Sequence, residues 1–170
     1  PSSAASDVYK RQIVRSEDDE PVADTSVNEA FDGLGATFEM LLSAFGRNSL
    51  NDAGAPLDAT VHYGIDYDNA FWDGERMVFG DGDGEVFVGF TSSTTVIGHE
   101  LAHGVVQYTA NLEYQGQPGA LNESIADVFG ALTEQHLLGQ SAADATWLIG
   151  AEIFTDAVQG SALRLSLIHI

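Results

Sequence analysis

The sequence predicts an α+β fold, in which a twisted antiparallel β-sheet is followed by two long helices. Three observations predict it: apolar residues recur at helical spacing before Gly46, alternate with polar residues from Ala59 to Val88, and return to helical spacing from Thr94 to Leu138. The chain has 170 residues, of which 44% are hydrophobic, and this is enough for one domain with a sizeable core. We therefore expect a globular protein.

Composition excludes several classes of protein and partner. The chain has no cysteine, so neither disulfides nor thiolate metal sites are available. It has no apolar run long enough to cross a bilayer, and we expect a soluble protein with no membrane partner. Its formal net charge of −20 would repel a phosphate backbone, which argues against nucleic acid as a partner. The plainest interpretation of this acidity is a solvated surface.

Both ends of the chain look foreign. Residues 7–12 can be encoded by GATGTGTATAAGAGACAG, and the reverse complement of that string encodes residues 165–170. Such an inverted repeat resembles a sequencing adapter, whose upstream part would encode residues 2–6. We therefore interpret residues 1–12 and 165–170 as adapter-derived and exclude them from reasoning about the fold. The domain is expected to occupy residues 13–164.

The first elements follow from local patterns. Residues 13–24 are acidic and aperiodic, so we expect an exposed lead-in. Asp24, Thr25 and Ser26 can cap a helix that ends at Gly46. Its apolar residues recur at helical spacing, and we expect them to form core; they are Phe31, Leu34, Phe38, Leu41, Leu42 and Phe45.

The alternating segments predict strands at 59–63, 76–79 and 85–88, with the last two joined as a hairpin. The Asp-Gly run at 80–84 invites a calcium-loop interpretation. However, it lacks the twelve-residue ligand spacing and the closing glutamate, so a glycine-rich turn is favoured. His62 has no partner at metal-ligand spacing and is interpreted as a structural histidine.

The most informative stretch is His99-Glu100-Leu101-Ala102-His103. On a helix, positions i and i+4 lie on one face, so two imidazoles can reach one metal ion. Glu100 lies about 100° further round the helix, where it can contact a water bound to that ion. This arrangement is typical of metal-assisted hydrolysis. The motif alone leaves open a buried helix that happens to carry two histidines.

A third ligand must come from oxygen or nitrogen, because the chain lacks cysteine. Residues 119–138 predict a second helix with Glu123 and Asp127 on one face, where Glu123 can ligate and Asp127 can support a ligand. The alternative with a third histidine needs Gly at 106 and His at 109. The chain has Val106 and Thr109 there, which excludes the metzincin arrangement.

The pattern His99-Glu100-x-x-His103, followed by Asn122-Glu123-x-x-x-Asp127, resembles the thermolysin-like zinc metalloendopeptidases. Three further stretches resemble that family in the same order and at nearly the same spacing, namely 66–74, 77–84 and 108–115. The resemblance covers about residues 22–164. It implies the N-terminal lobe and zinc-binding helices of such an enzyme, without its C-terminal helical domain, and so a fragment that is itself inactive.

The resemblance also implies a role for each matching residue. Zn²⁺ would be held by His99, His103 and Glu123, with Glu100 as the proton-transferring base. Tyr114 would be the oxyanion donor, and Asn122 and Asp127 would support the imidazoles. Asn69 and Ala70 would form an edge that binds the substrate backbone. Phe87 and Val96 would line a pocket for a bulky apolar side chain after the cleaved bond, and Arg164 would donate to a substrate carbonyl.

The resemblance also bears on calcium. Glu134 and Glu152 match acidic positions of the family's double calcium site, but Thr95, Leu148 and Ala151 stand where carboxylates are expected. The resemblance further implies a secreted monomer that is made with a propeptide and acts on proteins or peptides. Two other functions stay open at this point: a zinc-binding domain without catalysis, and an acidic calcium-binding structural domain.

Overall fold

The computed structural model describes residues 12–160 and 162–166 of the chain. Its elements run as follows: helix α1 (Thr25–Phe45), strand β1 (Ala59–Thr60), strand β2 (Ala70–Trp72), strand β3 (Met77–Phe79), a 3-10 turn (Phe90–Ser92), helix α2 (Thr94–Gln107), helix α3 (Gly116–Leu138), strand β4 (Leu148–Ile149) and strand β5 (Arg164–Leu165). The predicted α+β class is confirmed. Most of the adapter-like segments lie outside the described residues, although Leu165 pairs with Leu148 in the β4–β5 ladder.

Helix α1 begins and ends where the sequence predicts. The Asp24 side chain accepts a hydrogen bond from the Val27 N–H, and Gly46 ends the helix in the left-handed conformation that glycine favours. Leu34 and Leu41 are buried as expected, whereas Leu42 and Phe45 are 46% and 55% exposed. The predicted apolar stripe is therefore wider than the face that packs.

The lead-in to α1 is largely exposed, as predicted, but two of its residues dock on the helix. Asn28 accepts from the Val22 N–H and donates to the Val22 carbonyl, and it also accepts from the Arg15 guanidinium. That guanidinium lies 3.9 Å from the centre of the Phe31 ring, which is within cation–π range.

The sheet differs from the predicted one. Its order is β1-β3-β2, with β2 antiparallel to β3 but β1 parallel to it, so the expected all-antiparallel sheet is wrong for one pair. Strand β3 forms its hairpin with β2, not with residues 85–88. The Asp73 carboxylate closes that hairpin by accepting the N–H groups of Glu75 and Arg76.

Residues 85–88 do not form the predicted strand. The Asp83 carboxylate accepts the N–H groups of Glu85, Val86 and Phe87, which holds them in a turn. The segment then pairs with residues 153–155, through the Val88 N–H on the Ile153 carbonyl. Alternation of apolar and polar residues indicated half-burial here, but it could not specify the partner.

Helices α2 and α3 pack closely and form the frame of the site. A Cβ atom on Gly130 of α3 would lie 2.4 Å from the Thr95 carbonyl oxygen of α2, so only glycine allows this approach. Helix α2 also contacts α1, where Gly33 lies against Ile97. The core between α1, the sheet and α2 includes the fully buried Met77 and Leu101. Histidines on α2 are thereby fixed relative to carboxylates on α3.

Helix α2 follows Ser93 and ends at Gln107, and the start of the next helix, α3, differs from prediction. Helix α3 begins at Gly116, three residues before Gly119, because the first turn of a helix has unpaired N–H groups and so accommodates Pro118. No described helix is both long enough and apolar enough to cross a bilayer.

Candidate active site

The two histidines of α2 face the same side of the helix, as the four-residue spacing predicts. Their ring centres are 4.8 Å apart, and His99 is only 4% exposed. Glu100 joins them: the three side chains each offer a ligand atom within 4.8 Å of the others. Apolar neighbours such as Ile97 and Leu101 anchor the opposite face of the helix in the core.

Glu123 of α3 lies opposite both imidazoles. Its two carboxylate oxygens are 3.4 Å from His99 Nε2 and 3.3 Å from His103 Nε2. The hydrogen bond from His99 lowers the pKa of Glu123 to about 2, although partial burial opposes this shift. The carboxylate is therefore anionic at neutral pH, as a metal ligand must be.

The other nitrogen of each ring is engaged on the far side. His99 Nδ1 lies 2.8 Å from Asp127, and His103 Nδ1 lies 2.8 Å from the side-chain oxygen of Asn122. Burial opposes a charged His99, but the bonds with Asp127 and Glu123 outweigh it and raise the pKa of His99 to about 9. Burial lowers the pKa of His103. Both rings thus direct Nε2 towards Glu123.

This donor set fits a zinc ion. Two imidazole Nε2 atoms and one carboxylate converge from two helices, and the partners at Nδ1 fix the orientation of each ring. Three protein ligands are also the number that leaves one coordination position for a water molecule or substrate.

Glu100 lies beside this set and differs from Glu123 in its chemistry. Its carboxylate is 3.9 Å from His103 Nε2. Burial is the main cause that raises the pKa of Glu100 to about 7, with a smaller opposing effect of His99. A carboxyl that titrates near neutrality can both accept and donate a proton.

A cavity of about 520 Å³ opens over these residues. It is lined by the edge strand β2 with the preceding Asn69, and by Tyr114 and Arg164. Apolar residues complete the lining, among them Phe71, Trp72, Phe90, Val96, Leu112 and Leu163. The site can therefore hold an extended chain between a strand edge and the convergent nitrogen and carboxylate ligands.

Comparison with known proteins identifies the family. A sequence model described as the thermolysin metallopeptidase catalytic domain matches residues 4–107. A second, described as the alpha-helical domain of the same peptidases, matches residues 110–166. The chain belongs to the thermolysin metallopeptidase family. The boundary between the two matches falls between α2 and α3, so the metal site is built from both.

Several relatives resemble the chain closely. It is 50% identical over 153 residues to an extracellular metalloprotease of Pectobacterium carotovorum subsp. carotovorum, covering 90% of this chain and 44% of that protein. It is 52% identical over 152 residues to protease PrtS of Photorhabdus sp. (strain Az29), covering 89% of this chain and 41% of that protein. The chain therefore spans less than half the length of these relatives.

A solved structure supports the same conclusion. The precursor of protealysin, a metalloproteinase from Serratia proteamaculans, superposes with a TM-score of 0.87 and is 51% identical. The match covers 89% of this chain and 47% of that chain. The thermolysin-like fold expected from the motifs is therefore confirmed.

The structure brings together most of the residues that family resemblance had suggested. Asn69, Ala70, Val96, Tyr114 and Arg164 all line the cavity. The Tyr114 hydroxyl donates to Glu123, and partial burial together with that carboxylate raises the pKa of Tyr114 to about 12.

Arg164 is held by one partner on α3. Its guanidinium donates from Nε and from its terminal nitrogen to Asp127, at 2.6 to 2.9 Å, and it lies 3.2 Å from His99 Nδ1. Arg164 is thus fixed beside the supports of the imidazoles, at the rim of the cavity.

Phe87 is an exception to the predicted pocket. It packs against Phe90 and Phe154, with ring centres 5.5 and 5.3 Å away, and it is not among the residues that line the cavity. Phe90, three residues after Phe87, does line the cavity.

Sequence reasoning missed other lining residues, above all Trp72, Gln107 and Leu163. Trp72 and Leu163 are close in sequence to Ala70 and Arg164, which were predicted as site residues. Nothing in the sequence around Trp72 and Leu163 distinguished them from residues of the core. Gln107 carried one signal: it lies seven residues after Glu100, on the same face of α2.

The two candidate calcium residues are close neighbours. Burial and the nearby Glu152 carboxylate raise the pKa of Glu134. Glu152 accepts a hydrogen bond from Ser93 at 2.8 Å, and Thr95 accepts one from the Gly150 N–H at 2.9 Å. In the described part of the chain, the hydroxyl groups of Ser93 and Thr95 therefore bond to Glu152 and to the Gly150 N–H.

Proposed function

We propose that this chain is the metal-binding part of a zinc metalloendopeptidase that hydrolyses internal peptide bonds. The observation that carries the proposal is the convergence of His99 Nε2, His103 Nε2 and the Glu123 carboxylate beside a buried Glu100. Zinc bound there would supply Lewis acidity to a substrate carbonyl and to a water molecule. Because the chain spans less than half of its relatives, the activity belongs to the longer protein.

Glu100 would carry the proton in this reaction. Its carboxylate would accept a proton from the attacking water and then donate it to the departing amine nitrogen. Burial suits Glu100 to both steps, since it brings the pKa of the group close to neutrality. Glu123 is unsuited to this work, because its pKa is about 2.

Binding of substrate would use the open edge of the sheet. Strand β2 lies at the end of the order β1-β3-β2, so its outer backbone groups can pair with an extended peptide. We infer that Asn69 and Ala70 bind the substrate backbone, and that Val96 with Phe90 and Leu163 accepts a bulky apolar side chain after the cleaved bond. Backbone pairing would make the enzyme tolerant of sequence elsewhere.

Tyr114 and Arg164 would act on the substrate oxygens. The Tyr114 hydroxyl can stabilise the oxyanion that forms at the scissile carbonyl, because its raised pKa keeps it protonated as a donor. Arg164 stays charged beside Asp127 and can donate to the next carbonyl.

We further propose that calcium binds weakly at Glu134 and Glu152. Thr95, Leu148 and Ala151 add no carboxylate there, and Ser93 already occupies a Glu152 oxygen. A calcium titration that found two tightly bound ions would contradict this. By likeness to an extracellular relative and to a precursor structure, we propose that the longer protein is secreted and made with a propeptide.

Chelation tests the proposed function. The product of the longer reading frame is assayed on an internally quenched peptide with leucine after the cleaved bond, before and after metal removal, and again after zinc is restored. We expect hydrolysis to disappear with the metal and return with one equivalent of zinc. Hydrolysis that survives complete removal of the metal would contradict the proposal.

A further inference from the structure

Gln107, the last residue of α2, links the metal-binding helix to the β2–β3 hairpin. Its side-chain oxygen accepts a hydrogen bond from the Trp72 indole N–H at 2.9 Å, and its side-chain nitrogen donates to the Gly74 carbonyl at 3.2 Å. Trp72 ends strand β2 and Gly74 lies in the loop that follows. One side chain therefore holds both the strand and its turn.

Trp72 meets α2 along one stripe of that helix. Glu100, Gly104 and Gln107 are spaced at i, i+4 and i+7, so they lie on one face. The indole ring lies against Gly104, where an added Cβ would lie 3.3 Å from two ring atoms. Trp72 and Glu100 both line the cavity. Trp72 thus joins the edge strand to the helix that carries Glu100.

We propose that Gln107 is a positioning residue that fixes the distance between the substrate-binding edge of β2 and Glu100 by holding the Trp72 indole. The inference rests on the proposed function, because it concerns the same site. Gln107 acts through Trp72 and does not contact the reacting atoms. If the hairpin shifts on α2, a peptide paired with β2 moves relative to Glu100, and a displacement of about 1 Å can lower the rate about 100-fold.

Three variants separate the contributions of the two hydrogen bonds made by the Gln107 side chain. Gln107→Leu has similar size and removes both hydrogen bonds, whereas Gln107→Glu keeps an oxygen acceptor for the indole and removes only the donor to Gly74. Trp72→Phe keeps an aromatic ring over Gly104 but removes the indole N–H. Because Gln107 is exposed at the end of its helix, none of its variants should impair folding.

Kinetics of the longer protein provide the first measurement. For Gln107→Leu we expect kcat to fall about tenfold or more while KM stays within about twofold, since the reacting groups are misaligned but the contacts of β2 remain. Gln107→Glu should stay within about threefold of the wild-type kcat. The double variant with Trp72→Phe should be no slower than the slower single variant, because both remove the same bond.

Hydrogen exchange of the indole groups provides a measurement that does not depend on activity. The chain has two tryptophans, and Trp147 donates its own indole N–H to the Ala142 carbonyl at 2.9 Å. In the longer protein, Gln107→Leu should speed exchange of the Trp72 indole N–H about tenfold or more and leave Trp147 unchanged. Trp147 is thus an internal control, which shows whether the faster exchange is confined to Trp72.

The outcomes decide between the alternatives. Unchanged kcat in Gln107→Leu, or an effect on KM alone, would overturn the positioning role, and so would unchanged exchange of the Trp72 indole. A Gln107→Glu variant as impaired as Gln107→Leu would also count against it. Wild-type protein that shows no hydrolysis would instead overturn the proposed function, and this inference with it.

Discussion

Two glutamates of the site have opposite properties because of what surrounds them. The pKa of Glu100 is raised to about 7, mainly by burial, whereas the pKa of Glu123 is lowered to about 2, mainly by its hydrogen bond with His99. One carboxyl is therefore suited to proton transfer and the other to metal binding. The family resemblance of the sequence had implied the same roles, but it could not supply the reason.

Zinc affinity should reflect this division of roles. Glu123→Ala removes a ligand. Asn122→Ala removes the support of His103, and a loss of about 10–100-fold in zinc affinity is typical of such a change. We expect Glu123→Ala to lose more zinc affinity than Asn122→Ala, measured by competition with a chelator. Loss of zinc from Glu100→Gln with retention in Glu123→Ala would show that the ligands are wrongly assigned.

His62 offers a pH-dependent contribution to stability away from the site. It lies 2.9 Å from Asp24 and 2.8 Å from Asp81, and its bonds to these two carboxylates raise its pKa despite partial burial. Its stabilising effect is therefore fully present below the unfolded pKa of about 6.5, and it is lost as pH rises through the higher folded pKa.

We expect His62→Asn to lower the free energy of unfolding by up to about 1 kcal/mol at pH 6 and by less at pH 9.5. Asparagine is chosen because residue 62 has a φ of 57°, which asparagine tolerates. Urea unfolding at the two pH values provides the comparison. Equal destabilisation at both would mean that the charge on His62 contributes nothing.

At the scale of elements, the approach of α2 to α3 determines whether the ligands converge. Gly130→Ala would place a Cβ 2.4 Å from the Thr95 carbonyl oxygen, which is backbone and cannot rotate away. We expect a loss of about 1–3 kcal/mol in stability, together with weaker zinc binding, because the helices must separate.

Gly35→Ala is the matched control for this substitution. Gly35 lies in α1 with nothing within 4 Å of the added Cβ, so alanine there should stabilise by about 0.5–1 kcal/mol. Thermal melts and zinc titrations of both variants test the pair. A Gly130→Ala protein with unchanged zinc affinity would show that the helix spacing is not limiting.

The helices were more predictable than the strands, for a physical reason. Caps and periodicity lie within the helix itself, so Asp24 and Gly46 identified α1 from local sequence. The partner of a strand lies elsewhere in the chain, and the side-chain bonds of Asp83 that turn residues 85–88 away from β3 have no distinctive pattern. Close contacts between helices, such as that of Gly130 with Thr95, could not be predicted either.

At the scale of the whole molecule, charge should oppose compactness. A formal net charge of −20 on 170 residues produces self-repulsion that is screened within about 10 Å at 0.1 M salt and about 3 Å at 1 M. We expect the melting temperature to rise from low to molar sodium chloride by about 2–4 °C for each kcal/mol gained. Melting temperatures that fall steadily with salt would contradict this explanation.

The assay that tests the central claim most directly measures zinc content and peptide hydrolysis together, in the longer protein and in its Glu100→Gln variant. We predict about one equivalent of zinc in both, with hydrolysis lower in the variant by about 10²–10⁴-fold, because the base is removed while the ligands remain. A variant that keeps its zinc and hydrolyses peptide at the wild-type rate would contradict the account.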